Sequence, residues 1–199
     1  MLARHNGLQH EDIRFEAFGF VYRASFTSDG ISVVMKDPEK IRRGIPVHVS
    51  AGRFLCHAIN TGSPHVVTFV EDLDAVDAVT SGRELRHHRE FRPEGTNVNF
   101  VKLEAKNSIA IRTYERGVEA ETLACGTGSI ASAVITALER GASSPVTVHT
   151  RSGETMRVGF ALDGERITSV SLEGHARIVF SSELLFDSSS IRIEAQFAV

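Results

Sequence analysis

Tryptophan is absent from these 199 residues and tyrosine occurs only twice, so twelve phenylalanines carry most of the aromatic bulk. Cysteine is almost as scarce. Two copies, one of them (Cys125) in a reactive setting, argue for a reducing cytosol rather than a disulfide scaffold. The nine histidines and two cysteines form no pair of ligand clusters at zinc spacing, so no metal is expected. His87 and His88 are adjacent, and on a helix they would point about 100° apart, which suits a solvated face better than a chelate. No apolar run approaches the roughly 18 residues of a membrane-spanning helix. The opening MLARHNGLQHED has no apolar centre of the signal-peptide kind. No basic block stands out, and a net charge of −3 with a pI near 6.3 sets nucleic acid aside as a partner.

What is present suffices for a packed core: 42% of the residues are hydrophobic, over a length that allows one domain or two small ones. The chain reads mostly as strand. Ile13–Ala17 and Val21–Phe26 alternate apolar and polar residues. Ser28-Asp29-Gly30 is a turn before a strand over Ile31–Met35, which Asp37-Pro38 ends. A short strand is expected at Val47–Val49 and a longer one at Arg53–Asn60, where Cys56 reads as strand packing. Thr61–His65 makes a turn before the apolar strand Val66–Val70. Glu71–Asp74 then caps a short helical stretch, and Ser81–Glu90 is a second one. Asn97–Lys106 and Ser108–Glu115 form a hairpin around Asn107. Pro145–Arg151 and Thr155–Phe160 pair around Ser152-Gly153, Asp163-Gly164 is a further turn, and Ile167–Leu172 with Ala176–Phe180 completes the sheet. The tail from Asp187 carries little information.

One stretch differs from all this: Tyr114 to Gly141, YERGVEAETLACGTGSIASAVITALERG. A polar segment with Glu115, Arg116, Glu119 and Glu121 leads to Cys125 and then to Gly126-Thr127-Gly128. A run apolar on nearly every side follows and stops at Gly141. This predicts a helix beginning near Thr127 or Gly128, wrapped by other elements and ended by a left-handed glycine. Unpaired N–H groups and partial positive charge at a helix start favour a thiolate, so the Cys125 pKa is expected to fall toward neutrality. The same N–H groups can seat a substrate carboxylate. A sulfur beside an anion cradle suits proton transfer at a carbon next to a carboxylate, or nucleophilic attack. Cys125 reads equally as a small buried hydrophobe.

Three separate motifs, in order, resemble the diaminopimelate epimerase family: ERGVEAETLACGTGSIASA resembles its second catalytic segment, Thr61-Gly62-Ser63-Pro64-His65 its Gly-Asn-Pro-His turn, and Pro93–Phe100 its PEGTNVNF segment. The likeness spans about residues 46 to 180, and more weakly Asn6 to Gly19. It implies an α+β fold, with mixed or antiparallel sheet curled around a central buried helix. It also implies two pseudo-symmetric halves with the active site in the cleft between them. Residues 46–182 would be the C-terminal half; residues 1–45, with 183–199 returning to them, would belong to the N-terminal half. The activity implied is interconversion of LL- and meso-2,6-diaminopimelate, in lysine and peptidoglycan precursor biosynthesis, by two cysteines on opposite faces of the α-carbon and with no pyridoxal phosphate, metal or other cofactor. Carried over residue by residue, Cys125 is the second-half cysteine, and the N–H groups of Gly126 and Thr127 hold the α-carboxylate. Glu115 and Arg116 engage substrate, Glu115 also standing near the thiol. Asn97 and Ser63 bind substrate, and His65 tunes the cysteine. The expected partner is a small amino acid, with a second copy of the chain as a further one.

Each assignment has a plainer counterpart: a strand-end ion pair for Glu115 and Arg116, a turn former for Asn97, a satisfied core histidine for His65. Two departures stand out. Ser63 occupies a position where the family usually has asparagine. The family's Cys-Gly-Asn-Gly segment, with its first cysteine, has no counterpart, and Cys56 does not replace it by motif. The sequence therefore suggests an epimerase cut at its N-terminus, with apolar surface left uncovered on residues 1–45 and impaired alone or dependent on a partner. Three other readings stand beside this one: a proline racemase or phenazine-type isomerase of the same superfold, a non-catalytic remnant, and a nucleotide site, since Gly126–Ala131 fits G-x-G-x-x-A. GVEAETLA is no buried parallel strand, which counts against the last.

Overall fold

The structure, a computed structural model, describes residues 12–17, 19–180, 183–187 and 192–196. Part of the weak Asn6–Gly19 resemblance, and of the terminal stretches assigned to the N-terminal half, lies outside the described residues. The chain divides into two compact units. The larger runs from Glu11 to His175 and holds one twelve-stranded mixed sheet. In the other, β13 (Glu183–Asp187) and β14 (Arg192–Gln196) form an antiparallel pair.

Alternation is what makes the strands. β1 (Asp12–Ala17), β2 (Phe20–Phe26) and β3 (Ile31–Val34) form a ribbon whose Phe20, Val21 and Val34 remain exposed. β4 (Glu39–Val49) pairs with β5 (Gly52–Asn60), and β5 with β6 (Pro64–Phe69). Helix α1 (Ala78–Arg86) and a 3-10 turn (Arg89–Phe91) then return the chain to β7 (Asn97–Ala105), parallel to β6. β8 (Ser108–Glu115) closes the expected hairpin with β7, and short β9 (Ala120–Thr122) folds back on β8. Helix α2 (Gly126–Arg140) crosses to β10 (Val146–His149), which runs parallel to β8. β11 (Thr155–Asp163) and β12 (Arg166–Gly174) continue antiparallel, and β12 pairs with β3.

The core sits on α2. Every residue from Gly128 to Ala137 is buried, and strands β5 to β8 and β10 to β12 touch the helix. A helix apolar all round has no solvent face to offer, so the sheet curls about it. Gly141 ends it at φ 69°, its N–H bonding the Ala137 carbonyl, a conformation that costs glycine nothing. The fold is α+β, as expected.

Three local expectations are corrected. The short strand at Val47–Val49 is the end of eleven-residue β4, whose early pairing slips twice, between Glu39 and Arg42 and again before Ile45. Such bulges hide alternation from a sequence reading. The helix cap is not in Glu71–Asp74: Asp77 caps α1 by accepting the Thr80 N–H at 3.0 Å. Ala176–Phe180 forms no strand.

Candidate active site

Two parallel pairings bring the three motifs together. β6 and β7 set His65 opposite Asn97. The β7–β8 hairpin carries the chain on to Glu115 and Arg116. β9 returns it to Cys125, the extended N-cap of α2 (φ −135°, ψ 111°). Arg112 ties β8 to β9 and to the loop before α1: it grips Glu121 through two nitrogens at 2.7 and 2.8 Å and donates to the Leu73 and Val76 carbonyls. Glu119 accepts from Arg86 and the Gly117 N–H. Of the four charged residues before Cys125, two are therefore structural.

The remaining residues share one hydrogen-bonded network. The Thr127 hydroxyl lies 3.6 Å from Cys125 Sγ and 3.0 Å from His65 Nε2. Ser63 Oγ is also 3.0 Å from Nε2. Asn97 donates from Nδ2 to the Pro64 carbonyl at 2.9 Å and to Ser63 at 3.4 Å, and accepts the Arg116 N–H at 2.9 Å. Glu115 accepts the Thr122 hydroxyl at 2.6 Å, and its carboxylate also reaches the Cys125 thiol. Gly126, Thr127 and Gly128 open α2, where N–H groups lack intrahelical partners. Glycine is required at 128: a Cβ there would lie 2.5 Å from Asn99 Oδ1 and 3.3 Å from the sulfur.

The electrostatics correct one expectation. Burial pushes the Cys125 thiol up from its ordinary range, and Glu115 adds to this, against the pull of the Thr127 hydroxyl and the Gly128 N–H. Desolvation thus outweighs the helix start, and the sulfur rests as a thiol. His65 is held far down, at about 3, by burial and then by Arg116, so its imidazole is neutral. Cys56 is fully buried in a separate core cluster around α1, and burial lifts its thiol to about 12. Among the described residues no group of three or more His, Cys, Asp or Glu is placed to hold a metal ion. A cavity of about 260 Å³ opens between β4 and the 3-10 turn; His65 lines it, with Arg42, Phe91 and Pro93, but Cys125 does not. Three contributors were not singled out from sequence. Buried Asn99 and Thr113 sit beneath His65, and Thr61 Oγ1 donates to the Thr127 carbonyl at 3.0 Å. Asn97 and Asn99, two apart in an apolar strand and so on one face, were the available signal.

Residues 57–179 match the diaminopimelate epimerase family. This chain belongs to that family. It is 44% identical over 169 residues to the diaminopimelate epimerase of Chlorobaculum tepidum, covering 84% of this chain and 63% of the relative. It is 40% identical over 185 residues to that of Aquifex aeolicus, covering 92% and 65%. The chain thus spans somewhat less than two thirds of the diaminopimelate epimerases it matches. Among solved structures, the phenazine biosynthesis protein of the PhzF family from Bacillus anthracis superposes with a TM-score of 0.65 at 12% identity, over 87% of this chain and 69% of that one. The hydroxyproline epimerase of Agrobacterium vitis gives 0.65 at 15%, over 84% and 57%. These two likenesses establish the fold.

Proposed function

We propose that this chain supplies one side of a cofactor-independent diaminopimelate epimerase, with Cys125 as the acid/base group on one face of the α-carbon. The observation that carries this reading is a single buried thiol at the start of a 15-residue helix, in contact with Glu115 and Thr127. A substrate α-carboxylate seated on the Gly126 and Thr127 N–H groups draws charge out of the carbon beside it. Ser63, Asn97, Glu115 and Arg116 hold the rest of the amino acid. The resting thiol donates its proton to the carbanion-like carbon and becomes a thiolate, which the helix start and the Thr127 hydroxyl stabilise. In the reverse direction the thiolate takes that proton back.

Inversion needs a second acid/base on the opposite face. The other thiol of this sequence, Cys56, is fully buried within the sheet. On this reading Cys125, once its thiol has ionised, takes the α-proton, exchanges it with solvent and returns it to the same face, and inversion needs an acid/base group from outside these 199 residues. A working free thiol suits the cytosol. Iodoacetamide should modify Cys125 well ahead of Cys56, and LL-diaminopimelate should protect it, as peptide mass spectrometry would show. Equal labelling of both thiols in the folded chain, or no protection by substrate, would count against the proposal.

A further inference from the structure

Asn99 lies outside every residue role that the three motifs imply, yet it is fully buried under the site. Its Nδ2 donates to the Val66 carbonyl at 2.9 Å and lies 3.2 Å from His65 Nδ1, while its Oδ1 accepts the Thr113 hydroxyl at 3.0 Å. The Val66 carbonyl can only accept, so it decides which end of the amide faces it. The second Nδ2 hydrogen then points at His65 Nδ1, which must be the bare, accepting nitrogen. A neutral imidazole carries one proton, and it is therefore on Nε2. Nε2 faces two hydroxyl oxygens, on Ser63 and Thr127, each at 3.0 Å and each able to accept. Asn97 Nδ2 is farther off at 3.5 Å and directs its two hydrogens to nearer acceptors, the Pro64 carbonyl at 2.9 Å and Ser63 Oγ at 3.4 Å. With Nε2 donating, Thr127 keeps its own O–H for the Cys125 sulfur 3.6 Å away. In the other tautomer Nε2 would accept and compete with the sulfur for that O–H.

We propose that Asn99 is a positioning residue that sets the His65 tautomer and, through Thr127, aims a hydrogen-bond donor at the Cys125 sulfur. The role has a purpose only if Cys125 is the acid/base group proposed above. The helix is built against the same amide, since Gly128 leaves no room for a Cβ beside Asn99 Oδ1.

The first test needs no variant. In chain labelled with ¹⁵N-histidine, the His65 resonances, assigned by their loss in His65→Gln, should show a protonated Nε2 and a bare Nδ1 at neutral pH. The opposite assignment overturns the proposal. In folded Asn99→Asp the introduced carboxylate accepts and pulls the proton to Nδ1. Cys125 alkylation above about pH 8, where the imidazole stays neutral, should then slow about tenfold, the worth of one hydrogen bond to a charged group. Thr127→Val should slow it equally, and the double variant should slow it no further. A folded Asn99→Asp variant whose Cys125 reacts at the wild-type rate overturns the proposal. None of these readouts uses diaminopimelate, so failure of the proposed activity would be seen separately, in α-proton exchange.

Discussion

The two cysteines differ because of what surrounds each sulfur. Cys56 packs in the apolar cluster around α1, and burial raises its thiol to about 12. Around Cys125 burial also raises the thiol, but a hydroxyl and a helix N–H oppose it. His65 behaves in the opposite way: its folded pKa, about 3, lies below the ordinary histidine value. The folded state therefore binds fewer protons than the unfolded one between these values. Its contribution to stability is present above about pH 6.5 and is lost as the pH falls toward 3. Melting curves between pH 7 and 3 should show Tm falling, and His65→Gln should fall less steeply. A slope unchanged by the substitution would refute the assignment. Gly128→Ala should cost about 1–3 kcal/mol, from overpacking against Asn99, and should slow Cys125 alkylation; denaturant melts and labelling rates check both. The residues of the site were legible where a motif carried them. Asn99, Thr61 and Thr113 were not, because their work is done by hydrogen bonds between strands that are distant in sequence.

Elements were legible in proportion to their regularity. The apolar run before Gly141 could only be a buried helix, and the alternation from Asn97 to Glu115 could only be a hairpin. β4 was not legible: its bulges, Gly44 and Pro46 break the period of two. Asp77 was missed as a cap because the acidic cluster before it looked the stronger signal. The β8–β9 return depends on the Arg112–Glu121 pair, whose side chains are only 12% and 15% exposed. Arg112→Leu leaves the Glu121 carboxylate with only the looser Arg151 pair at 3.8 Å and two loop carbonyls without their donor. The variant should lose about 3 kcal/mol, measured by urea melts, together with Cys125 alkylation selectivity. A loss below about 0.5 kcal/mol would mean that the pair behaves as an ordinary surface one.

For the whole molecule, the order of the chain explains the site. Parallel returns through α1 and α2 put the β6–β7 and β8–β9 segments against one helix start. The α+β class followed from sequence because a single all-apolar helix among many strands allows few other packings. A mixed or antiparallel sheet was implied by the resemblance; which strands run parallel was not legible, since alternation does not reveal strand direction. The central claim is that Cys125 is the one acid/base sulfur these 199 residues supply. Proton NMR of LL-diaminopimelate in D₂O with the purified chain tests it most directly. The account predicts loss of the α-proton signal without the meso isomer, abolished in Cys125→Ala. Formation of the meso isomer by this chain alone, or exchange that survives Cys125→Ala, would contradict it.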